Sequence, residues 1–386
     1  MRSIITVVLA LCASAMPSMA QDDLFPPIRR GDVLEFARLL DLSEEQRDAA
    51  LTLFEGYAQE VARLQQDTRA KMEQWQKAME VDDPTKFDAA AFQEAMQKQT
   101  EIMFASTKKQ MDLEEAFFRD LALLLDQAQG ERMESVHRMR RRQMYLREAP
   151  VSWAALDLIA TLHDGGIEAE SMPSLDEELK EYELAMDREL VKMSRFMRDV
   201  MKGGAEIVSD PFSEDIQKLM GSYFKLVKEI RRINKEHARR IAAMLEPQAR
   251  SRFEDLVHRR AFPRIFRETP TQRALAVAAG LADLTTEQRT RIAQLRQQYE
   301  QERASIDERW MRAQDEYDDS FSFENLLMDE GMAPGSPVFD ATNDRRRLDH
   351  DFRERLEAIL TPEQIERLPR DRDAFFVGGA VPSAGG

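Results

Sequence analysis

Five histidines are the first groups to weigh, because imidazole serves both as metal ligand and as acid or base near neutral pH. They are His137, His163, His237, His258 and His350. No two stand three or four residues apart, so no helix presents a ready metal pair. His237 falls between Ile233 and Ile241 on an apolar stripe and reads as a packed, hydrogen-bonded core histidine. His137 and His258 occupy matching places in two similar stretches, where a hydrogen bond fixing a joint is the plain explanation. Met193, Met197 and Met201 recur every fourth residue. That spacing can gather thioethers for Cu(I). An adaptable hydrophobic seam is the simpler reading, and a methionine surface for varied partners comes next. Asp315, Glu316, Asp318 and Asp319 crowd one stretch, but carboxylates on a solvated helix select no acid–base pair. The chain shows neither a Gly-rich phosphate loop after a strand nor a nucleophile elbow. The expectation is a protein with no catalytic residue, no cofactor and no metal centre.

Arginine offers binding chemistry instead. Arg138, Arg140, Arg141 and Arg142 form one run, with Met139 and Met144 interleaved, and Arg345, Arg346 and Arg347 form another. A solvated helix face explains such runs most simply, and an anchoring patch for an acidic partner is the sharper alternative. The first run, with its two methionines, is the candidate partner-binding surface.

The first twenty residues have the makeup of a secretory leader. Arg2 supplies the positive start, Ile4 to Leu11 a short apolar run, and Ser18-Met19-Ala20 the small residues of a cleavage site after Ala20. Cys12 is preceded by Leu11, where a lipoprotein signal wants a small residue. The mature chain would lack cysteine, which excludes disulfides and Cys-ligated metal sites. It would be periplasmic, with no further segment apolar enough to span a bilayer. Of 55 Lys+Arg against 71 Asp+Glu, only Arg2 leaves with the leader, which puts the mature charge one unit below −16. Such an acid excess opposes general binding to nucleic acid or anionic lipid.

The elements behind these residues are long helices. Leu51, Phe54, Ala58, Val61, Met72, Trp75 and Met79 recur in steps of three and four, or sums of them, and Gln65 and Thr68 hold the same stripe. Phe92, Met96, Met103, Leu113, Phe117, Leu121 and Leu124 form a returning stripe, interrupted by Gln99, Ser106 and Gln110. One narrow apolar face per helix predicts an antiparallel hairpin, turning at Asp82-Asp83-Pro84. A second pair of stripes runs Leu179, Tyr182, Met186, Met193, Met197 and Val200, then Leu226, Ile230, Ile233, Ile241 and Met244, with Gly203-Gly204 and Asp210-Pro211 read as the break. The third runs Ile292, Leu295, Tyr299 and Ile306, then Leu348, Phe352, Leu356 and Ile359, with a loop around Gly331 to Pro337 between them. The expected fold is all-α, tandem long hairpins without β-sheet. The expected division is a leader 1–20, units 21–149, 150–269 and 270–370, and a loose Gly-rich tail 371–386. Matching joints support it: Val136-His137-Arg138 precedes Arg147 to Pro150, and Val257-His258-Arg259 precedes Arg267 to Pro270.

Four strings mark helix starts: Leu42-Ser43-Glu44-Glu45-Gln46, Leu125-Asp126-Gln127-Ala128-Gln129, Leu284-Thr285-Thr286-Glu287-Gln288 and Leu360-Thr361-Pro362-Glu363-Gln364. Each fits a capping box, in which Ser, Thr or Asp accepts from a first-turn N–H and the Gln three residues on reaches back to the cap's own N–H. Pro362 suits the first helical position. These strings resemble the LTxxQ motif of the Spy/CpxP family of periplasmic proteins, which occurs twice per domain. The pairs Ser43/Asp126 and Thr285/Thr361 fit that arrangement. The middle unit departs from it, with Leu162-His163-Asp164-Gly165-Gly166 where an opening string is expected and the shortened Leu245-Glu246-Pro247-Gln248 as its close. The resemblance implies a helical cradle that holds partly unfolded envelope proteins without ATP, or a modulator of envelope stress. A structural adaptor for one fixed protein partner is the alternative, and a metal-responsive relative a third.

Overall fold

The computed structural model describes residues 25–79, 89–147, 149–167, 172–208, 213–322 and 333–369, apart from the side chains of 78–79, 89–93, 96 and 202–208. The leader, the Asp82-Asp83-Pro84 turn and the tail 371–386 lie outside the described residues, as do Asp210-Pro211. The protein is all-α, with no strand among the described residues. The chain divides at Arg250/Ser251 into two compact units.

In the first unit a short helix, α1 (Arg30–Leu40), precedes two long ones, α2 (Glu44–Met79) and α3 (Ala89–Ala122), and a shorter α4 (Gln127–Tyr145) follows. Asp41 ends α1 in a left-handed conformation, φ 55°, and Leu42 N–H closes back on Ala37 O at 2.9 Å. That reversal sends the chain into the Ser43 cap. Helices α2 and α3 run antiparallel: Gln46 meets Leu124, Thr68 meets Ser106 and Trp75 meets Ala95. The apolar core gathers at the base of this hairpin, where Val33, Phe36, Leu40, Tyr57, Val61, Phe117, Leu121 and Val136 converge. Each such side chain contributes roughly 1.5–3 kcal/mol on burial. Beyond Val61 the seam changes character. Thr68 is buried and bonds Ser106 at 2.9 Å, and Trp75 Nε1 donates to Ala95 O at 2.7 Å. Polar contacts of this kind fix register where apolar side chains alone would slide.

The same unit continues with α5 (Leu158–Asp164), the long pair α6 (Pro173–Val208) and α7 (Glu214–Met244), and the start of α8 (Pro247–Ala261). Glu178 meets His237, Tyr182 meets Asn234 and Phe196 stacks on Tyr223, so α6 and α7 are also antiparallel. One expectation needs correction here, the break at Gly203-Gly204; the middle unit's departure from the motif takes a visible form as well. Helix α6 runs through Gly203 and Gly204 to Val208. A helical glycine costs only about 1 kcal/mol relative to alanine, too little to end so long a helix. The string Leu162 to Gly166 opens no helix. It closes α5, with Gly166 at φ 63° and Ile167 N–H on Leu162 O at 3.1 Å.

The second unit holds the short α9 (Pro263–Phe266) and α10 (Pro270–Ala279), the long α11 (Thr286–Ser320), α12 (Pro337–Glu357) and the single turn α13 (Pro362–Ile365). Gln288 meets Ile359, Tyr299 meets Asp349 and Asp307 meets Arg345, an antiparallel pair again. Ser336 and Pro337 start α12 by cap and ring, as their types require. Its core joins Leu275, Leu284, Ile292, Leu295, Tyr299, Phe352 and Leu356.

Candidate functional site

All four strings form the capping boxes that their residue types demand. Ser43, Asp126, Thr285 and Thr361 each accept from the backbone of the Gln three residues on, and that Gln carbonyl accepts from the cap's own N–H. Each glutamine also does something no local rule shows. Gln46 Nε2 donates to Leu124 O at 2.7 Å, while Gln129 Nε2 donates to Asp41 O at 3.1 Å. The two amides bond each other as well, at 2.8 and 2.9 Å. In the second unit Gln288 Nε2 reaches Ile359 O and Gln364 Oε1, and Gln364 Nε2 reaches Asp283 O. In all four cases the carbonyl reached belongs to the residue two before the partner's cap. The strings therefore work in pairs. Each ties the start of one helix to the chain reversal before another, and each amide satisfies donors and acceptor together. The leucines belong to the same joints: Leu284 and Leu360 lie in the second core, while Leu42 and Leu125 pack on the first. The close of the middle stretch works differently. Pro247 begins α8, and Arg250 donates to Ala242 O at 2.6 Å and Leu245 O at 3.3 Å, capping the end of α7.

The arginine run is the main correction. Expected as a solvated face or an anchor for a partner, it is taken up inside the first unit. Arg140 is 3 % exposed and grips Glu114 of α3 with both fork nitrogens, at 2.9 and 2.6 Å. Arg141 makes a two-pronged bond to Asp187 of α6 at 2.6 and 3.1 Å. Arg142 takes Asp157 and Glu183, and Arg138 takes Glu183 at 3.0 Å. The acidic partner is thus the chain itself, and the pairs rivet α4 to α3 and α6. Met139 packs against the core and Met144 is half-buried. In the other run Arg345 is buried on Asp307, whereas Arg346 and Arg347 are exposed.

Three tyrosines join the hairpins to what precedes them. Tyr57, Tyr182 and Tyr299 are all buried on the first arm of a long pair. Tyr57 stands as far beyond Ser43 as Tyr299 stands beyond Thr285. Tyr57 Oη accepts from Ile28 N–H at 3.1 Å, just ahead of α1. Tyr182 Oη accepts from Leu158 N–H at 3.2 Å, at the start of α5, and donates to Asn234 Oδ1 at 3.0 Å. Tyr299 Oη meets Thr269, the cap of α10, at 3.1 Å and donates to Asp349 at 2.6 Å. Burial raises the Tyr57 hydroxyl to about 12, with Glu114 adding to the effect, and burial likewise raises Tyr182 and Tyr299. Burial also lifts the carboxyls of Asp307 and Asp349. Each phenol stays a neutral hydrogen-bonding group, and full burial closes Tyr299 to any substrate. Tyr57 is absent from the apolar pattern read in the sequence; its equal spacing with Tyr299 from the two caps was the available signal.

The other chemical candidates settle into structural places. His237 is buried, bonds Glu178 through Nδ1 at 2.6 Å and packs edge-on to Tyr182, the core role expected of it. His137 packs edge-on to Phe118, and burial lowers its pKa. Met193 is buried, while Met197 and Met201 are half-buried. Asp318, expected on a solvated face, is buried and accepts from Gln314 at 2.8 Å. Among the described residues no cluster of three His, Cys, Asp or Glu side chains is set to hold a metal, and no helix is long and apolar enough to cross a membrane. No family model matches the chain, and neither does a curated protein or a solved structure.

Proposed function

We propose that the protein is exported and non-catalytic, and holds partly unfolded polypeptides without ATP, as the Spy/CpxP resemblance of its motif implies. The observation that supports this reading is the pairing of the strings. Ser43 with Asp126, and Thr285 with Thr361, meet through their glutamines in two separate units, which is the twice-per-domain usage that the resemblance predicts. The test is capture. The mature chain, free of ATP and metal, should suppress aggregation of several chemically unfolded proteins at near-stoichiometric ratio. Unchanged aggregation across clients and ratios overturns the reading. Export is tested separately: intact mass of envelope-derived protein should give a chain beginning at Gln21, and a full-length cytoplasmic product would contradict it.

The adaptor reading is favoured by a different observation. The basic run is spent internally, and the large exposed apolar side chains that are described, such as Leu34, Leu123, Leu184 and Met244, lie on different elements. One tight partner in an envelope pull-down, with no general protection from aggregation, would establish this second reading.

A further inference from the structure

Phe25-Pro26-Pro27-Ile28 has its conformation set by covalent chemistry. Each proline ring fixes its own φ, and a residue before proline is held extended. The segment therefore lies as a stiff arm ahead of α1, with Arg29 also extended at φ −107°, ψ 161°. Proline carries no N–H, so the arm offers few backbone groups for recognition. Three buried side chains from three helices take them. Gln110 of α3 donates to Phe25 O, Arg140 of α4 donates to Pro26 O, and Ile28 N–H donates to Tyr57 of α2. Gln110, Arg140 and Tyr57 are 7, 3 and 5 % exposed. Phe25 and Ile28 are themselves buried.

This is how a domain reads an extended proline-containing peptide: polar groups take the backbone, apolar surroundings take side chains three residues apart, one turn of a polyproline helix, and a pre-stiffened ligand loses little entropy. We infer that the base of the first hairpin is a peptide-binding site for apolar–Pro–Pro–apolar segments of other polypeptides, occupied in cis by the chain's own arm. The residues that dock all precede Arg30, where α1 begins. The inference deepens the polypeptide-binding reading and rests on it, giving that binding one defined site.

The probe is a blocked, fluorescent peptide of residues Phe25–Arg30, read by anisotropy against the full mature chain. Replacing Phe25 and Ile28 of the protein with Ala weakens the resident arm, and this variant should bind the peptide at least tenfold more tightly than the parent. Adding Gln110→Leu should weaken that binding about tenfold, as expected for one lost hydrogen bond to a buried carbonyl. A folded arm variant that binds no better than the parent overturns the inference. Should the variant not fold, hydrogen exchange in the parent decides. Saturating peptide should speed exchange of the Ile28 amide and leave that of Leu121 unchanged, whereas Ile28 exchanging in step with Leu121 at every peptide concentration overturns it. Aggregation suppression measured beside these keeps the two ideas apart. A protein that protects clients yet ignores the peptide loses only this site. One that binds the peptide and protects nothing loses the chaperone reading.

Discussion

Gln364 is 3 % exposed, and its carboxamide meets the Thr361 N–H, the Gln288 side chain and Asp283 O. Thr361 accepts one bond in return. Truncating the two should therefore differ. Thr361→Ala should cost about 1 kcal/mol, the usual worth of a cap. Gln364→Ala removes three part-buried bonds at once, to the Thr361 N–H, the Gln288 side chain and Asp283 O, and should cost about 2–3 kcal/mol. Urea titration of both variants checks this, and equal costs would mean that the cross-pairing contributes nothing. At the same scale, His137 has a sign that can be worked out. Burial lowers it from 6.5, so below that value the unfolded chain takes up protons more readily than the folded one. Stability from this group is present above pH 6.5 and lost as pH falls through the window below it. His137→Phe keeps the ring on Phe118 and should flatten the difference in urea midpoint between about pH 5.5 and 7.5, relative to the parent.

Among the elements, α4 is held by charge as much as by apolar contact. Arg140 and Glu114 are both nearly out of water, and such a pair is costly to break and cheap to replace whole. Arg140→Met alone should destabilise the first unit by about 3–5 kcal/mol, and adding Glu114→Met should recover most of it. A double variant no more stable than the single would show that the bond from Arg140 to Pro26 O, not the ion pair, carries the loss. The reversal after α1 gives a smaller test. Asp41 sits at φ 55°, where glycine has no steric penalty. Asp41→Gly should leave stability unchanged or raise it by up to about 1 kcal/mol, read from the thermal midpoint. A large loss would show that the Asp41 side chain, not its backbone, fixes the turn.

For the whole molecule, the arginine run changes what a surface experiment should find. Had Arg138, Arg141 and Arg142 faced solvent, replacing them with Ser would slow capture of acidic clients more at low salt than at high. Bound to Glu183, Asp187 and Asp157, they hold α4 to the chain around α6. The triple Ser variant should instead lose several kcal/mol of first-unit stability, roughly the cost of breaking part-buried pairs. Client capture should then fall only where the fold does. Circular dichroism melts beside aggregation assays at two salt concentrations separate the outcomes: weakened capture with an unchanged melt would return the run to the surface role.

What the sequence determined by itself is what neighbours a few residues apart determine. Stripes such as Tyr182, Met186 and Met193 specify an apolar helix face, and Ser43 with Gln46 or Thr361 with Gln364 specify a helix start, because the interacting groups lie within one turn of each other. His237 was legible for the same reason, since its place between Ile233 and Ile241 put it in the core. The destination of Arg138 to Arg142 was not legible. A charge run looks the same whether water or a carboxylate receives it, and the receivers stand 26 residues away for Arg140 and 46 for Arg141. Nor does Gly203-Gly204 state whether a helix ends, since about 1 kcal/mol per glycine is decided by what packs around it. The meeting of Gln46 with Gln129, and of the proline arm with Gln110, Arg140 and Tyr57, required the folded chain, because only the antiparallel return of α3 and the docking of α4 bring those residues within hydrogen-bonding reach.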